Sequence, residues 1–133
     1  MNKKDLFRAF NIQEHQIKRL EKSRALDLVR QNGLNLAYVH NQTKEICLEA
    51  VKEDGTALQY VHYQTLEICL EAVKECGLSL RYVHNQTKEI CLEAVKQKGL
   101  ALQWVYHQTT EICIEALRQT KGCTAFIDIS LFK

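Results

Sequence analysis

The chain has 133 residues, of which 46% are hydrophobic and 26% charged, and its formal net charge is only +2. This composition is typical of one folded domain and argues against disorder, and the lack of any proline fits a chain that is nearly all helix. No apolar run approaches the roughly 18 residues that span a bilayer, and residues 1–15 lack the long apolar region of a secretion signal, so we expect a cytoplasmic protein without a membrane segment.

Residues 1–24 are the most basic part of the sequence, with seven lysines or arginines against three acidic residues. Two apolar groups predict short helices here, and we interpret residues 1–24 as a helical cap for the elements that follow. These groups are Leu6, Phe7 and Phe10, and, after a candidate N-cap at Asn11, Ile12, Ile17 and Leu20. The basic arm either contacts an acidic partner or is a solvated helix face, and we prefer the second interpretation.

Residues 33–120 contain one 22-residue segment repeated four times with substitutions, starting at Gly33, Gly55, Gly77 and Gly99. A fixed period of this length is typical of stacked supersecondary units. A half copy, residues 25–31, precedes them and has Ser23 as a candidate N-cap. The sequence therefore predicts an all-α fold, a right-handed α-solenoid of short helix pairs with caps, whose repeat array covers residues 25–119.

Each copy is predicted to contain two short helices. In the first copy, Gly33 is expected to close the preceding helix in the left-handed conformation, and apolar spacing over residues 34–39, with Leu34 and Tyr38 four apart, predicts a helix of about two turns, helix A. Thr43 is a candidate N-cap for a second helix, helix B, over residues 44–53. Helix B is apolar over more than half of its circumference, as expected of a helix that packs between neighbours in a stack.

The register changes after the fourth copy, because the next glycine is Gly122, one residue beyond the position that a 22-residue spacing from Gly99 gives. Ile127, Ile129 and Leu131 then alternate with polar residues, which is a strand-like period of two. We expect residues 120–133 to form a cap or an extended tail over the last helices. Two alternatives stay open: the segment could add to the sheet edge of another chain, or it could pair with its own copy in a homodimer.

Cysteine and histidine recur along the copies, at Cys47, Cys69, Cys91 and Cys113 and at His40, His62 and His84. Ligands spread singly along a stack cannot converge on one metal ion, and a nucleophile needs one privileged site. Equivalent residues of stacked helices lie about 9 to 10 Å apart, beyond the roughly 7 Å that a disulfide allows. We therefore predict reduced cysteines, no metal or cofactor site, no catalytic residues and no enzyme activity.

Two sets of residues are candidates for contact with a partner protein. The first is a series of eight glutamates on helix B: Glu45, Glu49, Glu67, Glu71, Glu89, Glu93, Glu111 and Glu115. The second contains residues that differ between the copies: Gln59, Tyr63, Leu66, Arg81 and Gln103. We interpret the chain as a non-enzymatic protein–protein interaction solenoid. An inhibitor or immunity protein is one form of it, since an acidic ridge suits a basic target surface.

A nucleic-acid-binding repeat protein that uses the basic arm is the alternative. The aromatic series Tyr38, Tyr60, Tyr82 and Trp104 could stack bases, one per copy, as modular RNA readers do. The glutamates of helix B oppose phosphate binding, so we predict instead that these four aromatic side chains belong to the core.

The phrases GLALQWV, LQYV and EICLEAVK, in a 22-residue register, resemble a bacterial and giant-virus family of tandem helical repeats (the domain of unknown function 4116 type). The resemblance covers residues 25–119. In each copy an aromatic residue, a polar link (Asn41-Gln42-Thr43 in the first copy) and the helix B motif recur in the same order. It implies an α-helical solenoid and no established activity. The basic arm and the segment after Gly122 lie outside it.

Overall fold

The structure is a computed structural model, and it describes residues 13–132 together with residues 2, 4, 5 and 8. Over residues 13–132, five α-helices alternate with six 3₁₀ helices, and this part of the chain contains no strand. The α-helices are α1 (Glu14–Gln31), α2 (Lys44–Glu53), α3 (Leu66–Glu75), α4 (Lys88–Gln97) and α5 (Thr110–Gln119). The 3₁₀ helices are η1 (Gly33–Tyr38), η2 (Gly55–Tyr60), η3 (Gly77–Tyr82), η4 (Gly99–Trp104), η5 (Lys121–Phe126) and η6 (Ile129–Phe132).

Helix α1 is continuous from Glu14 to Gln31 and supplies the first layer of the stack. Its first turn is closed by the backbone N–H of Gln13, which donates to Oε1 of Gln16 at 2.8 Å. Ser23 was a candidate N-cap, and this prediction is wrong because the helix does not restart there and Ser23 lies exposed in its middle. The predicted residues Leu6, Phe7, Phe10, Asn11 and Ile12 lie outside the described residues.

Helix B is confirmed in all four copies, as α2 to α5. In each copy a threonine precedes the helix in extended conformation, and its hydroxyl oxygen accepts from the backbone N–H three residues later, at 3.2 Å. The capping threonines are Thr43, Thr65, Thr87 and Thr109. This bond satisfies one of the N–H groups that every helix start leaves free, so the polar link fixes where helix B begins.

Helix A is confirmed as a helix of two turns, but it is a 3₁₀ helix of six residues, so Leu34 and Tyr38 do not share one buried face as their spacing predicted. Its hydrogen bonds span three residues, as in the bond from the Val39 N–H to the Leu36 carbonyl at 3.0 Å. A 3₁₀ helix rises about 2.0 Å per residue, whereas an α-helix rises about 1.5 Å. Six residues of helix A therefore extend further along helix B of the same copy than six α-helical residues would. The tighter winding also changes which side chains share one face.

The glycine at the start of each 3₁₀ helix is required by close approach. None of these glycines has left-handed backbone, so the predicted conformational role of Gly33 is wrong. A Cβ atom at Gly33 would lie 2.3 Å from the carbonyl oxygen of Ala50, in the helix B that follows. The other copies repeat this contact at 2.4 to 2.5 Å, with Gly55 against Ala72, Gly77 against Ala94 and Gly99 against Ala116.

The copies stack in two layers. Each α-helix packs on the next α-helix, each of η1 to η5 packs on the next 3₁₀ helix in this series, and the two layers enclose a continuous core. Leu36, Ile46, Ala50 and Val51 and their equivalents in the other copies are almost fully buried, except Leu117, which stands at the position of Val51 and is partly buried. The fold is a helical solenoid in which each copy covers apolar surface of its neighbour. None of the described helices is both long enough and apolar enough to cross a membrane.

The 22-residue register continues past the fourth copy. Lys121 stands 22 residues after Gly99 and begins η5, and Cys123 is buried at the position of Ala101. The strand-like prediction for Ile127, Ile129 and Leu131 is wrong, because residues 129–132 form the 3₁₀ turn η6. The Asp128 carboxylate explains this outcome: it accepts from the backbone N–H and the hydroxyl of Ser130, at 3.0 and 2.7 Å, and so initiates a turn.

Candidate interaction surface

The eight glutamates predicted to contact a partner form two rows on the helix B layer, which we call the helix B ridge. Glu45, Glu67, Glu89 and Glu111 form the exposed row. Glu49, Glu71, Glu93 and Glu115 form a half-buried row. The ridge therefore exists as a continuous surface on one layer of the solenoid.

Three of the four glutamates in the exposed row form ion pairs with lysines of the preceding α-helix. The Lys22 ammonium lies 2.6 Å from the Glu45 carboxylate, and Lys44 and Lys88 pair in the same way with Glu67 and Glu111. The hydrogen bond and the charge of Lys22 hold the pKa of Glu45 below its usual value. These exposed pairs contribute little to stability, but they neutralise part of the acidic ridge from within the chain.

Leu66 interrupts this series of ion pairs. It stands where the first and third copies have Lys44 and Lys88, and it is exposed. In the half-buried row, the Arg30 guanidinium lies 3.4 Å from Glu49, and that of Arg118 lies 3.3 Å from Glu115. The ridge is therefore a mixed-charge surface, and the exposed apolar side chains of Leu66 and Ile114 lie on the same layer.

A glutamine in each polar link joins successive copies, and the sequence reasoning missed it. Gln42 donates from Nε2 to the Tyr60 carbonyl at 2.8 Å and accepts at Oε1 from the His62 N–H at 2.9 Å. We call this arrangement the glutamine clamp. Gln64, Gln86 and Gln108 repeat it on the pairs Tyr82 and His84, Trp104 and Tyr106, and Phe126 and Asp128. The occurrence of glutamine in all four copies was the available signal.

The recurrent cysteines support the clamp. The Cys47 thiol lies 3.4 Å from Oε1 of Gln42, and the other three copies repeat this contact at 3.4 to 3.6 Å. Burial raises the pKa of Cys69 and of Cys91 to about 11, so both stay protonated thiols at neutral pH and can act as donors. This is opposite to the activation that a nucleophilic cysteine requires. All six cysteines of the chain are free.

The aromatic series lies at the surface, so the prediction that it belongs to the core is wrong for three of its four members. Tyr38 is 76% exposed, Tyr60 37% and Trp104 36%, while Tyr82 is half-buried. The cause is the 3₁₀ winding. With three residues per turn, Gly33, Leu36 and Val39 share the buried face, and the position of Tyr38 falls outside it.

Two more exposed rows run beside the aromatic series. His40, His62, His84 and Tyr106 form one of them, and Asn41, Tyr63, Asn85 and His107 form the other. Because η1 to η5 pack side by side, equivalent residues follow one another along the stack. We call the aromatic series together with these two rows the aromatic strip.

The aromatic strip is almost without formal charge. The four segments that build it, residues 33–42, 55–64, 77–86 and 99–108, contain no aspartate or glutamate, and Arg81 is their one lysine or arginine. The Arg81 guanidinium carbon lies 4.6 Å from the centre of the Tyr82 ring. The strip and the helix B ridge are thus chemically distinct surfaces that lie on different layers.

The predicted contact residues divide between these two surfaces. Gln59, Tyr63, Arg81 and Gln103 are exposed on the 3₁₀ helices and their links, whereas Leu66 and the glutamates belong to helix B. A cleft of about 310 Å³ lies between the first two copies and is lined by His40, His62, Tyr63 and Lys44. Another, of about 420 Å³, lies between α4 and α5, where Ile114, Glu111, Glu115 and Arg118 line it.

The family comparison supports the repeat architecture. The family described as Domain of unknown function (DUF4116) matches this chain twice in tandem, over residues 22–66 and 65–108. The two matches together span more than half of the chain, which therefore belongs to this family. No curated protein and no solved structure shows a significant match to the chain.

Proposed function

We propose that this chain is a non-enzymatic, protein-binding helical-repeat array, and that the aromatic strip is its principal binding surface. The observation that carries the proposal is the exposure of Tyr38, Tyr60 and Trp104 in one row on an almost uncharged surface. Tyrosine, tryptophan and arginine are enriched at the residues that dominate protein–protein binding energy. A row of such side chains on a repeat scaffold is suited to a protein ligand.

The frame beneath the strip supports this proposal. The glutamine clamp holds the backbone carbonyl of Tyr60, Tyr82 and Trp104, and it also holds the N–H two residues later. Backbone that is fixed in this way loses less conformational freedom when a ligand binds. The residue before each aromatic residue varies, as Ala37, Gln59, Arg81 and Gln103, so contacts can differ along an unchanged frame.

The proposal includes a cytoplasmic location and allows an inhibitor role. Six free thiols fit a reducing compartment, since disulfides persist mainly in oxidising ones. An inhibitor would bind its target through the strip, or through the glutamates of the helix B ridge that the lysines of neighbouring copies leave available. Nucleic acid is less well matched, because phosphate groups need lysine and arginine, and the strip offers only Arg81.

Affinity purification from the native cell tests the proposal when matched variants are compared. The bait would be the full chain and two variants, Tyr60→Ala with Trp104→Ala in the strip and Glu67→Gln on the helix B ridge. We expect one or more proteins that the wild type and the ridge variant recover, but that the strip variant loses, in extracts treated with nuclease. Equal recovery by all three baits, or loss of every partner after nuclease treatment, would refute the proposal.

A further inference from the structure

The spacing expected for the aromatic strip is close to one turn of a polyproline II helix. Equivalent residues of packed helices are separated by about 8–10 Å, whereas a polyproline II helix has three residues per turn and a rise of about 3.1 Å, which gives roughly 9.3 Å per turn. The η5 helix extends the aromatic series by one position, because Phe126 stands 22 residues after Trp104 and is exposed. Five aromatic positions separated by four steps correspond to about twelve residues of such a ligand.

The aromatic side chains have the exposure that this ligand needs. Proline-rich segments bind in grooves lined by aromatic side chains, where pyrrolidine rings pack on the aromatic faces. Tyr60 and Trp104 keep about a third of their surface exposed, and the remainder is held against the protein. Tyr82 is more buried and carries the Arg81 guanidinium near its ring. Rings held in this way are already ordered, so binding orders few side chains.

The hydrogen-bonding groups of the strip also complement a proline-rich segment. Polyproline II has no internal hydrogen bonds and proline has no N–H, so the ligand offers unpaired carbonyl acceptors. The strip supplies donors: the Arg81 guanidinium, the Trp104 indole N–H, and the amides of Gln59 and Gln103. Each of these amides donates once to its own 3₁₀ helix, at 3.0 and 3.1 Å, which fixes it and leaves its second N–H. The four segments contain no carboxylate acceptor.

We infer that the aromatic strip binds a proline-rich peptide segment in the polyproline II conformation, with one turn of the ligand on each repeat. This inference rests on the proposed function and specifies the chemistry of the partner. Single-stranded nucleic acid could also place one base per repeat, but the four segments would offer its phosphates only Arg81, and the segment of Phe126 adds one lysine, Lys121, and one carboxylate, Asp128. The peptide is therefore the better-matched ligand.

Trp104 provides a direct test because it is the single tryptophan of the chain and lies in the proposed site. Oligoproline peptides of 6, 9, 12 and 15 residues, blocked at both ends, would be titrated while Trp104 fluorescence is recorded. We expect a saturable change whose affinity rises with peptide length up to about twelve residues and then levels off. Glycine–serine peptides of the same lengths should give no change, and neither should oligothymidylate.

Variants keep the test specific to the strip. Tyr60→Ala should weaken the 12-residue proline peptide at least tenfold, and Lys74→Gln, at an exposed position of α3 outside the strip, should leave its affinity unchanged, with far-ultraviolet circular dichroism showing that both variants are folded. No binding of the 12-residue peptide at millimolar concentration would overturn the inference, as would equal binding of the glycine–serine peptide. If the strip variant still loses partners in the affinity purification, only the ligand class is wrong; if it does not, the proposed function fails as well.

Discussion

The contact between each glycine and the next helix B makes a quantitative prediction for Gly55→Ala. A Cβ atom there would lie 2.4 Å from the Ala72 carbonyl oxygen and 3.0 Å from both the backbone nitrogen and the Cβ of Cys76. Two of these three atoms are backbone, so relief of the clash requires η2 to move away from the C-terminal end of α3, the helix B of the same copy. Overpacking of a tight contact costs about 1–3 kcal/mol, and we expect about 2–3 kcal/mol here because the displaced group is a helix terminus.

Gly122→Ala is the matched control, because the nearest atom to its added Cβ is Thr120 Cγ2 at 3.8 Å. Replacing a glycine by alanine at a compatible position stabilises a protein by about 0.4–1 kcal/mol, through the lower entropy of the unfolded chain. Urea unfolding followed by circular dichroism measures both variants against the wild type. A loss of less than about 0.5 kcal/mol for Gly55→Ala, or equal effects of the two changes, would refute the steric explanation.

Three further predictions concern the clamp, the thiols and the ion pairs. Gln86→Ala removes both clamp bonds to the fourth copy and should lower the free energy of unfolding by about 1–3 kcal/mol in the same urea assay, because a backbone donor and acceptor lose their partner. Burial raises the pKa of Cys69 to about 11, so iodoacetamide at pH 8 should modify the half-buried Cys76 before Cys69, and both equally fast in urea; faster reaction of Cys69 in the folded protein would contradict this. Lys22→Gln should raise the pKa of Glu45 toward its usual value in an NMR titration. Since that pKa is lowered in the folded protein, the pair contributes stability above the unfolded pKa and loses it as the pH falls through the folded one.

Helix B could be predicted from the sequence because each of its determinants is local. The apolar residues follow the α-helical period, and a threonine with an acidic first turn marks the start. The bounds of α2, Lys44 to Glu53, are those expected from the sequence. Stacking followed from the repeat period alone, because one short unit cannot bury so wide an apolar face.

The aromatic strip could not be predicted because it depends on the type of the shorter helix. Over residues 34–39 the apolar spacing satisfies an α-helix, which would place Leu34 and Tyr38 on one face. In the 3₁₀ helix the buried set is instead Gly33, Leu36 and Val39, and Tyr38 lies exposed. Six residues are too few to distinguish a period of 3.6 from a period of 3.0. Because the same period was applied to every copy, the whole aromatic series was predicted in the core.

The glycine contact and the glutamine clamp escaped prediction for a different reason: both join a residue to backbone that is distant from it in the sequence. Gly33 contacts the Ala50 carbonyl of its own copy, and Gln42 binds the Tyr60 carbonyl and the His62 N–H of the next copy, so neither contact can be recognised from local sequence spacing. The same clamp explains why the fold continues into η5. Gln108 binds the backbone of Phe126 and Asp128, whatever their side chains, so the register continues where the side-chain pattern is lost.

Because the fold is stabilised by contacts to backbone atoms, the neighbouring side chains can vary without loss of these contacts. The invariant positions of the repeat, represented by Gly33, Gln42 and Thr43, contact backbone in their own or the next copy. One position that differs between copies, occupied by Ala37, Gln59, Arg81 and Gln103, lies exposed beside the aromatic series. Substitutions there can alter what the strip binds without loss of a clamp, a cap or a core contact. Such a separation of fold from surface is what a repeat array needs if successive copies are to contact different parts of one extended ligand.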